Sequence, residues 1–476
     1  MHAKGNYSTI ILTLALLAIL FVGLSSVKAN MPVENSWMTK APMSVARSDL
    51  GVATVNGKIY AIGGSTQQST GMDSNGGVVD TNEEYDPLTN AWGFEAEMMT
   101  PREGFATAVL DNSIYCIGGL NGYGAESAVS EVYYPANNSW STKASLPTAE
   151  EGMQANVING KIYLIGINSY LSGINSTITY VYDPINDSWT TKAPMPNKPS
   201  GLPTSCVLDG KIYVISSYLT QIYNPLNDTW STVTPLPVPM TYPVSVAITG
   251  TYAPKYIYVF YENSLEIYNP QTDSWMPGGS LPMTIVNPEI QGVKVLTDRE
   301  FYSVIVLNDT IYTIGGRTIT YPSSSTYSPY QPGNMIEDAT NDWYIPIGYG
   351  TVSPTISIVA PENLTYNVTS VPLIFTINKQ VNWIGYSLDG KQNVTITGNT
   401  TITNLMGGWH RIAIYANDTF GHIGTSGTSN FSIVITSSVK PKIFPTGLII
   451  AVSIVIIVIA ISVLYYRKNH RILTRV

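Results

Sequence analysis

The run N-G-K-I-Y-A-I-G-G at 56–64 returns as D-N-S-I-Y-C-I-G-G at 111–119 and as N-G-K-I-Y-L-I-G at 159–166. It comes back as D-G-K-I-Y-V-I at 209–215, K-Y-I-Y-V-F at 255–260 and N-D-T-I-Y-T-I-G-G at 308–316. A second phrase follows: E-Y-D-P-L-T-N-A-W at 84–92, V-Y-Y-P-A-N-N-S-W at 132–140, V-Y-D-P-I-N-D-S-W at 181–189, I-Y-N-P-L-N-D-T-W at 222–230 and I-Y-N-P-Q-T-D-S-W at 267–275. A period of this size means one small structural unit used many times. Ile-Tyr-x-Ile is β-branched and aromatic, and an Asn-Gly or Asp-Gly turn precedes it, so it reads as the second strand of a hairpin. The stretch Gly51-Val52-Ala53-Thr54-Val55 is its partner in the first unit. The Pro of the second phrase ends a third strand in a turn, and Trp opens a fourth. Four-stranded sheets of this kind become stable when packed radially, as a β-propeller.

The double Gly after Ile-Tyr-x-Ile, with Tyr and Trp at set places, resembles the kelch repeat over roughly residues 31–345. Gly63-Gly64, Gly118-Gly119 and Gly315-Gly316 keep that pair; Gly166-Ile167, Ser216-Ser217 and Phe260-Tyr261 replace it in the other copies. The resemblance implies that the connection between the second and third strands shares one face with the connection between blades. The two short turns of each blade then lie on the opposite face. Family likeness alone fixes no function, because propellers of this kind host enzymes, adhesins and scaffolds.

The spacings separate scaffold from variable face. From each Trp to the next Ile-Tyr is 23 or 24 residues over the first four intervals, then 28 and 37. From Ile-Tyr to the following Trp is 32, 25 and 26 residues, then 17 and 17. Length variation therefore falls in the second-to-third-strand connections, which are long in blades one to three and short in blades four and five. Loops that vary in length on a constant scaffold mark the binding face. The expected fold is all-β: a six-bladed kelch-type propeller, an Ig-like β-sandwich and one C-terminal transmembrane helix. Closure has two readings. In blades one to five the turn Pro precedes its Trp by five residues, whereas Pro329 precedes Trp343 by 14. Trp37 would then supply the last strand of blade six; in the rival reading Trp343 closes its own blade and residues 31–45 begin a seventh.

The ends carry targeting signals. Residues 1–29 read as a signal peptide, with Lys4, an apolar run from Ile10 to Leu24 and a small-residue cleavage site around Val27-Lys28-Ala29. Leu448 to Tyr466 carries no charge and is long enough to span a bilayer. Arg467, Lys468, Arg471 and Arg475 follow it and place that tail in the cytoplasm. The expected order is a propeller over 31–345, a linker over 346–355, an Ig-like sandwich over 356–437 and a stalk over 438–446. A transmembrane helix over 447–466 and a basic tail over 467–476 complete it. Gly408 to Asp418 resembles the late strands of prokaryotic, including archaeal, surface Ig-like domains. The chain is thus expected at the cell membrane, propeller outside.

Composition fits an exterior protein. Charged residues are 12%, and the net charge of −8 disfavours nucleic acid as a partner. Glycosylation sequons start at Asn137, Asn175, Asn186, Asn227, Asn308, Asn363, Asn367, Asn393, Asn399, Asn417 and Asn430. Cys116 and Cys206 fall on blades that do not adjoin, so two separate buried thiols are expected.

The four histidines are His2, His410, His422 and His470, none within the propeller. No imidazole metal site or histidine base can therefore be built there. The copper site of kelch-type radical oxidases is missing, and the turns lack the Gly of sialidase Asp-boxes. No cofactor or metal is expected. What remains is a binding mouth of Arg47, Arg102, Glu103, Asn121, Tyr123, Glu150, Glu151, Tyr170, Lys198, Tyr218 and Arg317, suited to an extracellular protein or glycan. The competing role for Arg47 and Arg102 is holding neighbouring blades together. The resemblance also admits an exported carbohydrate-active enzyme, as in kelch-type sialic-acid isomerases, or a structural envelope component.

Overall fold

A computed structural model describes residues 33–66, 77–165, 168–169, 174–175, 177–199, 202–240, 242–282, 296–321 and 335–435. The signal-peptide, stalk, transmembrane and tail readings fall outside these residues, as does Tyr170. Among the described residues no helix is long and apolar enough to cross a membrane. The chain divides into two compact units after Ser353.

The repeated phrases become sheets. The first has four antiparallel strands, Gly51–Val55, Lys58–Ile62, Asn82–Asp86 and Ala91–Glu95. Four further sheets repeat that order, starting at Ala106, Gln154, Thr204 and Val244. In the sixth, Ser303–Leu307, Thr310–Ile314 and Asn341–Ile345 come from late in the chain, and Ser36–Thr39 completes the sheet. The first strand of each sheet packs against the first strand of the next, and the sixth packs against the first. A closed ring of six blades results, with the first strands innermost.

The closure is set by Trp37. In every blade a Trp on the outer strand lies opposite a Tyr on the third strand. The pairs are Trp92 with Tyr85, Trp140 with Tyr133, Trp189 with Tyr182, Trp230 with Tyr223, Trp275 with Tyr268 and Trp37 with Tyr344. Their rings lie 4.9–5.1 Å apart. Such pairs contribute about 1 kcal/mol each beyond the area they bury. Each indole N–H donates to a carbonyl of the preceding blade, from Trp92 to Ala41 round to Trp37 to Gly279. Two residues before each Trp an Asn or Asp adopts positive φ: Asn35, Asn90, Asn138, Asp187, Asp228 and Asp273. Its carboxamide or carboxylate accepts both the Tyr hydroxyl and a backbone N–H of the preceding blade, as Asn90 does from Tyr85 and Ala41. Blade six has the same fittings, because Asn35 accepts from Tyr344 and Gly279.

The Pro of blade six is therefore Pro346, in Tyr344-Ile345-Pro346, and not Pro329. Trp343 lies inside the third strand, opposite Tyr312, and opens no blade of its own. The stretch read as a linker also begins with packed chain. Gly350 N–H donates to Tyr252 O, and Tyr349 stacks on Tyr252 with ring centroids 6.1 Å apart.

Asp309 ties blades five and six together. It is buried, and its carboxylate accepts from the backbone N–H groups of Thr249, Thr251, Tyr252 and Ala253 and from the Thr249 hydroxyl. Asp309→Ala leaves four N–H groups without that acceptor, the Ala253 N–H buried among them. The expected loss is about 2–4 kcal/mol, read as a lowered midpoint in urea denaturation.

The second unit is also all-β. One sheet orders Ile356–Ala360, Val371–Ile377 and Thr400–Ile402; the other is built on Val381–Leu388, Gly408–Asp418 and Ser429–Ile433. Leu373, Phe375, Ile412, Ile414 and Phe431 fill the core between them. Positive φ at Asp389 and Gly390 makes the tight turn after Leu388.

Candidate binding site at the propeller mouth

Topology places two kinds of connection on one face: those leading into each first strand, and those joining second to third strands. The sequence expectation about their lengths agrees with the structure. Residues 63–81, 118–129 and 166–178 join second to third strand within blades one, two and three, while Ser217-Tyr218 and Glu262-Asn263 are two-residue turns in blades four and five. Blade six carries an insertion that the repeat reading missed, a three-stranded sheet of Leu296–Glu300, Arg317–Tyr321 and Met335–Glu337.

The axis is rimmed by residues two positions before the first strands of blades one, two, three, five and six. Asp49, Gly104, Gly152, Tyr242 and Phe301 occupy this place, all with positive φ. Their backbones link blade to blade: Asp49 N–H donates to Phe301 O, Gly104 to Asp49 O and Gly152 to Gly104 O. Gly serves at two of these positions because the left-handed backbone strains other residues. Asp49, Tyr242 and Phe301 accept that strain and place side chains at the mouth.

Those side chains divide the mouth chemically. Tyr242 and Phe301 form an aromatic pair with centroids 4.9 Å apart, and the Arg317 guanidinium lies 4.0 Å over the Phe301 ring. Facing Arg317 are Asp49, Glu103 and Glu337. Burial pushes the Asp49 carboxyl up to about 7; Arg317 draws it back, and Glu103 and Glu151 add to the rise. Glu337 is likewise pushed to about 7 by burial, against a Ser48 hydrogen bond and Arg317. Glu103 is raised in the same direction, again mainly by burial. Among the described residues no three His, Cys, Asp or Glu side chains converge well enough to hold a metal ion.

The sign of the pH effect follows. Asp49 and Glu337 hold protons in the folded state at pH values where the unfolded chain has released them. Stability therefore falls as pH rises from about 4 through 7. The double variant Asp49→Asn/Glu337→Gln should melt higher than the parent at pH 8 and match it more closely at pH 5. Equal differences at both pH values would contradict the assignment.

The expected site residues scatter. Arg47 and Arg102 are fully buried inside the blades and do not reach the rim. Arg102 donates to Gly118 O, Val129 O and Cys116 O and pairs with Glu131 at 2.8 Å. Arg47 makes the matching set to Gly63 O, Thr81 O and Ala61 O and pairs with Glu83 at 2.9 Å. Each guanidinium joins the second and third strands where the double Gly interrupts their ladder. Arg299 does this for blade six, bonding Gly315 O and pairing with Asp342 at 2.9 Å. The signal for this third copy was in the sequence, since each Arg precedes its first Gly by 16 residues.

Asn121 is spent on its own loop, accepting from Tyr123 and Ala125 N–H groups. Glu150 and Glu151 are buried at the mouth wall, and burial raises the Glu150 carboxyl. Tyr123, Lys198 and Tyr218 are exposed, Tyr123 at 82% and Tyr218 at 66%. Arg317 and Glu103 thus meet at the mouth, while Asp49, Tyr242, Phe301 and Glu337 were not foreseen. Cys116 and Cys206 are both buried free thiols, pushed up to about 12 by burial.

Comparison with known proteins fits this geometry. Residues 46–99 and 101–147 match the Kelch motif. Blades one and two thus carry kelch motifs. The Influenza virus NS1A-binding protein homolog of Mus musculus is 43% identical over 83 residues, covering 17% of this chain and 12% of that protein. Kelch-like ECH-associated protein 1B of Danio rerio is 35% identical over 100 residues, covering 21% of this chain and 16% of that protein. The chain thus spans less than a quarter of the length of these curated relatives. The solved structure of YjhT aligns with a TM-score of 0.45 and 14% identity, covering 63% of this chain and 99% of that one.

Proposed function

We propose that this kelch propeller is displayed outside the cell as a binding module, and that it grips an extracellular protein or glycan with its connection face. The observation that carries the reading is the chemistry of that face. An aromatic pair, a guanidinium and half-buried carboxylates surround the mouth, and exposed Tyr123, Lys198 and Tyr218 stand around it. Interfaces of this kind use Tyr and Arg as anchors within a polar rim. Two of the relatives are named for protein partners, which favours a protein here as well.

The remaining parts serve display. The signal peptide exports the chain, the segment over 447–466 anchors it, and the second unit acts as an Ig-like spacer. Exposed Asn137, Asn186, Asn227 and Asn308 lie in the short turns, so glycans there shield the face opposite the mouth.

The test uses cells carrying the full chain. Protease added to intact cells should release the propeller, and the cells should adhere to a surface bearing their partner species. The triple variant Tyr123→Ser/Lys198→Ser/Tyr218→Ser should lose adhesion about tenfold or more, as expected for removing anchors. A chain that resists external protease sinks the display reading, and undiminished adhesion of the variant sinks the docking face.

A further inference from the structure

One end of the second unit gathers several large exposed apolar side chains. Met406 and Trp409 are both 76% exposed there, beside Val434 at 49% and Ile435 at 55%. The sheet register brings them together. Gly408 lies opposite Ile433 and Trp409 opposite Ser432, so the start of Gly408–Asp418 and the end of Ser429–Ile433 share that end. Leu388 lies opposite Ile412, which puts the Asp389-Gly390-Lys391 turn there too. Tyr366 pairs with Ile433, and Tyr366 O accepts from Val434 N–H, so Val368, 50% exposed, follows at the same end.

The charges around this apolar tip are mainly cationic. Lys391 and Arg411 are exposed, and the Arg411 guanidinium lies over Gly390. His410 donates to or accepts from Asp389 at 2.8 Å, and Asp389 also accepts the Arg411 N–H, so the one carboxylate is occupied. Large exposed apolar groups with a Trp and neighbouring Lys and Arg are the composition of a membrane–water interface.

The path of the chain supplies the occupant. The described residues end at Ile435, within this tip, and the apolar span begins at 447. The intervening 11 residues reach at most about 40 Å when fully extended. We propose that the tip bearing Met406, Trp409, Val434 and Ile435 sits in the headgroup layer of the bilayer that holds the chain, with Lys391 and Arg411 on anionic lipid. This rests on the anchoring read above. It makes the second unit a foot as well as a spacer.

The experiment uses the full chain in liposomes containing phosphatidylglycerol and a lipid with a headgroup-level nitroxide quencher. Cys116 and Cys206 are buried, so Met406→Cys can be labelled alone with an environment-sensitive dye. Ile423→Cys, 65% exposed at the opposite end, is the control. The dye at 406 should be strongly quenched and the dye at 423 should stay at background. Adding Trp409→Ser should release most of the quenching at 406 while the melting curve is unchanged. A chain that fails to float with the vesicles refutes the anchor itself. A chain that floats with equal, background quenching at both positions refutes the foot and leaves the anchor standing. Glycopeptide mapping gives a second reading, because the Asn367 sequon opens beside Val434 and should stay bare; a glycan there would overturn the proposal.

Discussion

Trp37→Ala should be among the most damaging single substitutions in the propeller, although Trp37 lies over 300 residues from the strand it pairs with. The indole packs on Tyr344 at 4.9 Å with the rings tilted by 45°, meets Phe260 edge-on at 6.0 Å and donates to Gly279 O. It therefore joins the N-terminal strand to blade six and blade six to blade five. Removing a core aromatic costs about 3–5 kcal/mol, and partial exposure of Trp37 places the loss near the lower figure. Deleting 33–39 should do more, because Asn341–Ile345 becomes an open sheet edge and Asn35 is lost. That chain should lose its single cooperative urea transition and associate through the bared edge. Phe94→Ala, 64% exposed on an outer strand, should change stability little. If the two aromatic variants melted alike, the strand would not be closing the ring.

The buried guanidinium pairs predict a second large effect. Arg102→Ala leaves Glu131 buried with its charge uncompensated, and frees the carbonyls of Gly118, Cys116 and Val129. Breaking one partner of such a pair costs about 3–5 kcal/mol, whereas replacing both with apolar residues costs much less. Arg102→Met should thus unfold at markedly lower urea, and Arg102→Met/Glu131→Leu should recover most of the loss. The same pattern is expected for Arg47 with Glu83 and Arg299 with Asp342. Equal loss in the single and double variants would mean that the guanidinium acts through the carbonyls alone.

The blades were legible in the sequence because their determinants are local. Asn-Gly turns, Ile-Tyr-x-Ile and Asx-x-Trp each act within a few residues, and the spacing of Trp37 pointed to the closing strand. Long-range pairing was less visible. Arg102 reads as a surface cation until Glu131, 29 residues on, is seen across the blade. The mouth was the least legible part. Its rim is set in five blades by the residue two before the first strand, and no motif marks Asp49, Tyr242 and Phe301 as equivalent. Their common feature is a positive φ, which Gly104 and Gly152 disclose and the others conceal. The three-stranded sheet containing Arg317 has no equal among the described residues of the other blades, so repeat reasoning could not supply it.

The central claim is that a partner docks on the connection face. Hydrogen–deuterium exchange of the full chain, with and without its bound partner, tests this most directly. The claim predicts new protection at 118–129, at Ser217-Tyr218 and around Arg317, with the turns at 87–90, 184–187 and 225–228 unchanged. Protection confined to those turns, with the mouth exchanging as before, would contradict it.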